Sequence, residues 1–144
     1  MKTRFLLIGL ILLLIHSCMM DPVLLCELCN ESKDTIRVKL EFDTNYLKEI
    51  KKDFSPKTFS DLPFPHIDSN VIVLQVDSIK YAMEILIKPY SRIMMDAGIN
   101  NGPNMYFSRL KLYHKKDIII VQGRENINKA FINEHGYTYR LKIN

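Results

Sequence analysis

The chain has 144 residues, with 20 Lys+Arg against 16 Asp+Glu and a formal charge of +4. That length suits one domain of ordinary size and excludes two large ones. At 47% hydrophobic and 25% charged the chain is neither disordered nor fibrous, its 3 cysteines are too few for a disulfide scaffold, and +4 is too mild for a nucleic-acid binder.

Met1-Lys2-Thr3-Arg4 leads into Phe5–Ile15, an unbroken apolar run of 11 residues. A short cationic start before an apolar stretch of this length is the layout of a secretory signal peptide. As a helix the run spans about 16 Å, against the roughly 30 Å of a bilayer core. Extending it to Leu25 would take in His16 and Asp21, and a mid-membrane Asp costs about 2.5 kcal/mol or more. The expectation is a signal peptide over residues 1–17, with an uncleaved signal anchor as the alternative.

The run ends in Ile15-His16-Ser17-Cys18. Ile15, Ser17 and Cys18 resemble the lipobox of bacterial lipoproteins, with its branched apolar residue, its small residue and its obligatory Cys. His16 departs from that pattern, which usually has a small residue there. The resemblance implies that the Cys18 thiol takes a diacylglyceryl group and that the peptide bond before it is cut. Cys18 is then the lipid attachment site, and residues 18–23 form a lipidated tether. An ordinary secreted protein with a chance cysteine is the competing reading. The cut would leave 127 residues with 18 basic and 16 acidic side chains. Several acyl chains, at about 0.8 kcal/mol per buried methylene, hold such a product to a membrane without a spanning helix.

Beyond the tether the chain reads as strands. Leu24–Cys29 is a first candidate, turning through residues 30–34. In Thr35–Phe42, apolar residues at 36, 38, 40 and 42 alternate with Arg37, Lys39 and Glu41, the period of a half-buried strand. Asp43-Thr44 can cap a short helix with Tyr46, Leu47, Ile50 and Phe54 on one side. Residues 55–70 hold Pro56, Pro63 and Pro65 and read as a long surface loop. Val71–Val76 is nearly all apolar, as expected of a central buried strand. Met83–Lys88 follows, closed by Pro89, and Arg92–Met95 resumes a strand. Residues 97–104 form a second loop turning at Asn101-Gly102. Tyr106–Tyr113 and Asp117–Gln122 are further strands, and Glu125–Phe131 a turn or two of helix. Tyr137, Tyr139, Leu141 and Ile143 alternate with polar residues to the chain end. So many short strands predict a mainly β fold over residues 24–144: an antiparallel β-sandwich, or partly open barrel, of about seven strands with one or two short helices.

Chemistry is harder to find. Cys26-Glu27-Leu28-Cys29 has the spacing of a redox pair or half a zinc site. Its surroundings favour neither, because no second close pair of ligands exists and no helix follows Cys29. If the segment is extended, residues three apart face opposite sides, and the sulfurs cannot bridge without a bend. His66, His114 and His135 stand far apart and lie in loops, turns or strand ends. There is no G-x-S-x-G, no phosphate-binding glycine loop and no H-E-x-x-H, so no catalytic, cofactor-binding or metal-ligating residue is nominated. Lys48–Lys52 and His114–Lys116 are basic clusters, read as solvated faces or, near an anchor, as contacts to anionic headgroups. Phe59, Phe64 and Tyr90 lie on loops, where a partner could use them.

From Ile15-His16-Ser17-Cys18 onward the layout of lipobox, short tether and one β-rich domain resembles small lipoproteins of Bacteroidota-type Gram-negative bacteria. The resemblance implies a cell-envelope location at the outer membrane, with the lipid as membrane partner and an envelope protein or glycan as ligand. Asp34-Thr35-Ile36 and Asp77-Ser78-Ile79 also match the short pattern on which such bacteria glycosylate exported proteins. The leading expectation is a membrane-tethered binding or structural module, with no cofactor and no nucleic-acid partner. The alternatives are a periplasmic hydrolase-like enzyme with a loop-assembled site, and a thiol protein using Cys26 and Cys29.

Overall fold

The computed structural model describes residues 23–59, 70–98 and 102–144. Residues 1–17, Cys18, the tether as far as residue 22, Phe64 and His66 lie outside the described residues. In chain order the elements are β1 (Leu24–Asn30), β2 (Ile36–Phe42), α1 (Thr44–Ile50), α2 (Pro56–Phe59), β3 (Val71–Asp77), β4 (Ala82–Ile87) and β5 (Ser91–Gly98). Then come β6 (Phe107–His114), β7 (Asp117–Gln122), α3 (Arg124–Ala130), β8 (Ile132–His135) and β9 (Thr138–Ile143). The strands form a four-stranded sheet, β5-β1-β9-β8, and a five-stranded sheet, β3-β4-β2-β6-β7. The fold is mainly β, with nine strands and three short helices among the described residues and no closed barrel.

Among the described residues every strand pairing is antiparallel except one. The last strand, β9, lies parallel to β1, with Leu25 opposite Thr138 and Asn30 opposite Ile143. The C-terminal strand therefore occupies a central place in its sheet, and trimming it exposes both β1 and β8.

The core follows the period of two. Leu24, Cys26 and Leu28 of β1 meet Ile36, Val38 and Leu40 of β2, together with Met83, Ile85 and Ile87 of β4. Leu110 and Leu112 of β6 complete the row on the second sheet, and Ile127 of α3 covers it. Full burial of each such side chain contributes roughly 1.5–3 kcal/mol. Near the C-terminal end of β2 the filling turns aromatic. Phe59 packs edge-on against Phe42 at 4.9 Å and Tyr81 at 5.4 Å, and Phe107 meets Phe42 at 4.9 Å. The loop residue Phe59 is thus a core residue, delivered by the single helical turn of α2, and is not offered to a partner.

Asp43 caps α1 as its position implies: its Oδ1 accepts from the Tyr46 backbone N–H at 3.1 Å. Leu47 is the residue of α1 that buries, while Ile50 stays half exposed. Arg124 lies over the Tyr46 ring at 3.6 Å, joining α3 to α1.

Two expectations are corrected. Val71–Val76 is an edge strand and not a central one: Val71 is buried, but Ile72, Val73, Leu74 and Val76 are exposed. Among the described residues its one strand neighbour is β4, and it lies at the end of the five-stranded sheet. The second is β8, Ile132-Asn133-Glu134-His135, a strand not expected from the sequence because its residues are all exposed and carry no alternation. His135 ends this strand before the turn at Gly136, where φ is +57°.

Candidate functional site

The outer face of the four-stranded sheet collects charge. From β1 come Glu27 and Cys29, from β9 Arg140 and Lys142, from β5 Arg92 and from β8 Glu134. The register puts Glu27 opposite Arg140, Cys29 opposite Lys142 and also opposite Arg92, so these side chains share a face. Arg92 reaches Glu27 at 3.7 Å, Glu27 accepts from Arg140 Nε at 2.7 Å, and Arg140 Nη1 donates to Glu134 at 2.7 Å. Lys142 bridges Glu134 and Glu31, the latter at 3.2 Å. Lys142 and then Arg140 hold the Glu134 carboxyl below the usual carboxylate range. Glu27 and then Glu134 raise the Arg140 guanidinium further above its ordinary value. An exposed ion pair alone contributes little, but a chain of shared carboxylates fixes the side chains that form it.

Where this chain ends at Arg92, the surface opens into a groove of about 380 Å³, lined by Cys29, Glu31, Tyr90, Arg92 and Arg140, with Asn30 at its base. Asn30 is buried, and its Nδ2 donates to the carbonyls of Asp34 at 2.8 Å, Ile87 at 3.1 Å and Lys88 at 2.9 Å. Its Oδ1 accepts from Ser32 Oγ at 2.7 Å and from the Ser32 N–H at 3.1 Å. One amide thus ties the β1–β2 turn to the end of β4 and holds the groove's base in place. Tyr90 stands on the rim, 76% exposed, at φ +53°. The left-handed region costs a non-glycine residue roughly 1–2 kcal/mol, and an exposed ring recovers little of it by burial.

Cys26 and Cys29 are free thiols. Cys26 points into the core, whereas Cys29 belongs to the outer face. Burial, aided by Asp96, pushes the Cys26 thiol up to about 12. Burial, then Glu27, raises Cys29 as well. Both are therefore protonated near neutral pH and are weak nucleophiles.

The remaining candidates are scattered. His114 sits 3.5 Å from Asp34, which also pairs with Lys115 at 3.2 Å. The Lys115 contact lowers the Asp34 carboxyl, a turn-stabilising role at the β6–β7 tip. Thr35 is exposed before β2, and Ser78 is half-buried in the β3–β4 turn. Among the described residues no three His, Cys, Asp or Glu side chains cluster in a way that holds a metal ion. No helix there is long and apolar enough to cross a membrane.

Glu27, Arg92, Glu134, Arg140 and Lys142 were not singled out by the sequence. Their alternation with apolar residues in β1 and β9 marks them as outward-facing, but only strand order reveals that they face one another. Compared with known protein families, curated proteins and solved structures, the chain finds no match.

Proposed function

We propose that the chain is a lipid-anchored cell-envelope protein, held through Cys18, whose β-sandwich is a binding module. The observation that carries this reading is the apolar run Phe5–Ile15 ending on Ile15-His16-Ser17-Cys18 behind a cationic start. Six Cα steps separate Cys18 from Leu24, at most about 21 Å of extended chain. The lipid therefore holds the end of the sandwich at which β1 begins close to the bilayer.

Hydrogen bonds identify what shares that end. Asp96, opposite Cys26, accepts from the Asn104 N–H at 3.4 Å, and Asn104 Nδ2 donates to Tyr46 Oη at 2.7 Å. The start of α1 follows the end of β2, where the Phe42 N–H donates to the Tyr81 carbonyl at 2.9 Å. Lys48, Lys52 and Lys80 are exposed near this end and suit anionic headgroups, each such contact contributing about 1 kcal/mol. The groove of Tyr90, Arg92 and Arg140 lies at the other terminus of β1, the end opposite the one this reading gives to the anchor.

Metabolic labelling with a fatty-acid analogue tests the anchor. Wild-type protein takes up label and the Cys18→Ala variant does not. Label on Cys18→Ala, or on neither protein, overturns the assignment.

A further inference from the structure

We propose that the groove between Tyr90, Arg92 and Arg140 is a saccharide site, which stacks a sugar ring on Tyr90 and receives a carboxylate of that sugar on Arg92. The assignment rests on reading the domain as a binding module and is independent of the lipid on Cys18.

The ligand class follows from what lines the groove and where it lies. It is lined by residues of β1 and β9 and by Ser91 and Arg92 of β5, the strand at the end of their sheet. The backbone of β1 is engaged on both sides, by β5 and by β9, so a peptide finds no free ladder of N–H and C=O groups on the groove's floor. On that floor recognition falls to side chains. These are one aromatic face, guanidinium forks and a carboxylate, the set that matches a ring with an apolar C–H face, hydroxyls and an acid group. A volume of about 380 Å³ lies toward the small end of ligand pockets and suits one or two sugar rings.

The two arginines are not equivalent. Arg140 is committed, with Glu27 at 2.7 Å on one side and Glu134 at 2.7 Å on the other. Arg92 ends the ionic chain, is 66% exposed, and touches Glu27 only at 3.7 Å. Its fork is the one open to a bidentate carboxylate. Glu31, held by Lys142 at 3.2 Å, lies across the groove as an acceptor for hydroxyls.

Tyr90 supplies the independent observation. Its backbone is in the left-handed region at φ +53°, which favours glycine, yet the chain carries a large aromatic there and leaves it exposed. Its N–H donates to the Ser32 carbonyl at 3.3 Å, which holds the ring's backbone against the base built by Asn30. Strain at an exposed aromatic that fills no core is the pattern of a residue retained for a ligand.

Calorimetric titration of the full chain in detergent tests the proposal with three probes: a galacturonic acid tetrasaccharide, its methyl-esterified counterpart and an acidic tetrapeptide. The acidic sugar should bind saturably, and esterification, Arg92→Lys or Tyr90→Gly should each weaken it by about tenfold or more. Tyr90→Gly should meanwhile melt at the wild-type temperature or above, because glycine relieves the left-handed backbone; a purely structural Tyr90 would give a lower melting temperature. Absence of sugar binding, or binding unaltered in both variants, overturns the site. Tyr90-dependent binding of the peptide without the sugar overturns the saccharide assignment while leaving the binding-module reading standing.

Discussion

β1 and β3 are strands of equal length and matched composition, each with five apolar residues, one carboxylate and one amide, but with opposite fates. β1 reads Leu-Leu-Cys-Glu-Leu-Cys-Asn, mixing apolar residues with a charge and an amide, and no residue of it is exposed. β3 reads Val-Ile-Val-Leu-Gln-Val-Asp and is exposed at five of seven positions. The difference lies in neighbours. β1 sits between β5 and β9, and its charged residue Glu27 is sheltered by Arg92 and Arg140. Among the described residues β3 has a strand on one side only. For these two strands burial follows their surroundings, and hydrophobicity of the strand itself is a poor guide to it. β7, the other edge of the same sheet, repeats the pattern with Ile118, Ile119 and Ile120 exposed.

The contrast is open to direct attack. Leu28→Ala, at a fully buried site of β1, should cost about 2–5 kcal/mol by urea denaturation, while Val73→Ala in β3 should cost about 0.5 kcal/mol. Equal losses would mean that neighbours do not set burial in this fold. Asn30→Ala should come next, at about 1–3 kcal/mol, because it removes the donor to the buried carbonyl of Ile87 and to that of Lys88. Rescue of that variant by low temperature alone, with no loss in denaturant midpoint, would remove Asn30 from its anchoring role.

Smaller effects should appear at the extremes of pH. The folded state keeps Cys26 protonated up to about 12, so as pH climbs above the ordinary thiol range the unfolded chain loses its proton first. Stability is unaffected below that range and falls as pH rises through it, and Cys26→Ala should flatten this alkaline slope. At neutral pH neither thiol should react with iodoacetamide in the native protein, whereas a cysteine introduced by Leu74→Cys on β3 should react readily. The smallest effect belongs to Glu134. Its carboxyl is held low by Lys142 and Arg140, so its contribution is present above the usual carboxylate range and is lost as pH falls through its lowered value. Glu134→Gln should reduce the acid-side slope of the urea midpoint and leave the alkaline side untouched.

Some elements were legible because local chemistry decides them. Alternation in Ile36–Phe42 and Thr138–Ile143 encodes two strands and their buried faces, and Asp43 announces the start of α1 by its capping oxygen. Other elements hid for identifiable reasons. β8 has no apolar face, since as an edge strand it buries nothing and is held by pairing with β9. Phe59 sits among prolines in what reads as a loop, yet it is driven into a gap that Phe42, Phe54 and Tyr81 create together. The ionic face assembles from residues more than 100 positions apart, Glu27 and Arg140, through the parallel pairing of β1 with β9. No spacing rule connects them.

By itself the sequence determined the fold class, the period of most strands and the cationic-apolar-cysteine start that argues for an anchor, because each depends on residues within a few positions of one another. Strand order, the exposure of β3, the burial of Phe59 and the groove beneath Tyr90 were decided only in three dimensions. Each is a property of neighbours brought together from distant parts of the chain, and a hydrophobic or charged residue acquires its role from what is placed beside it.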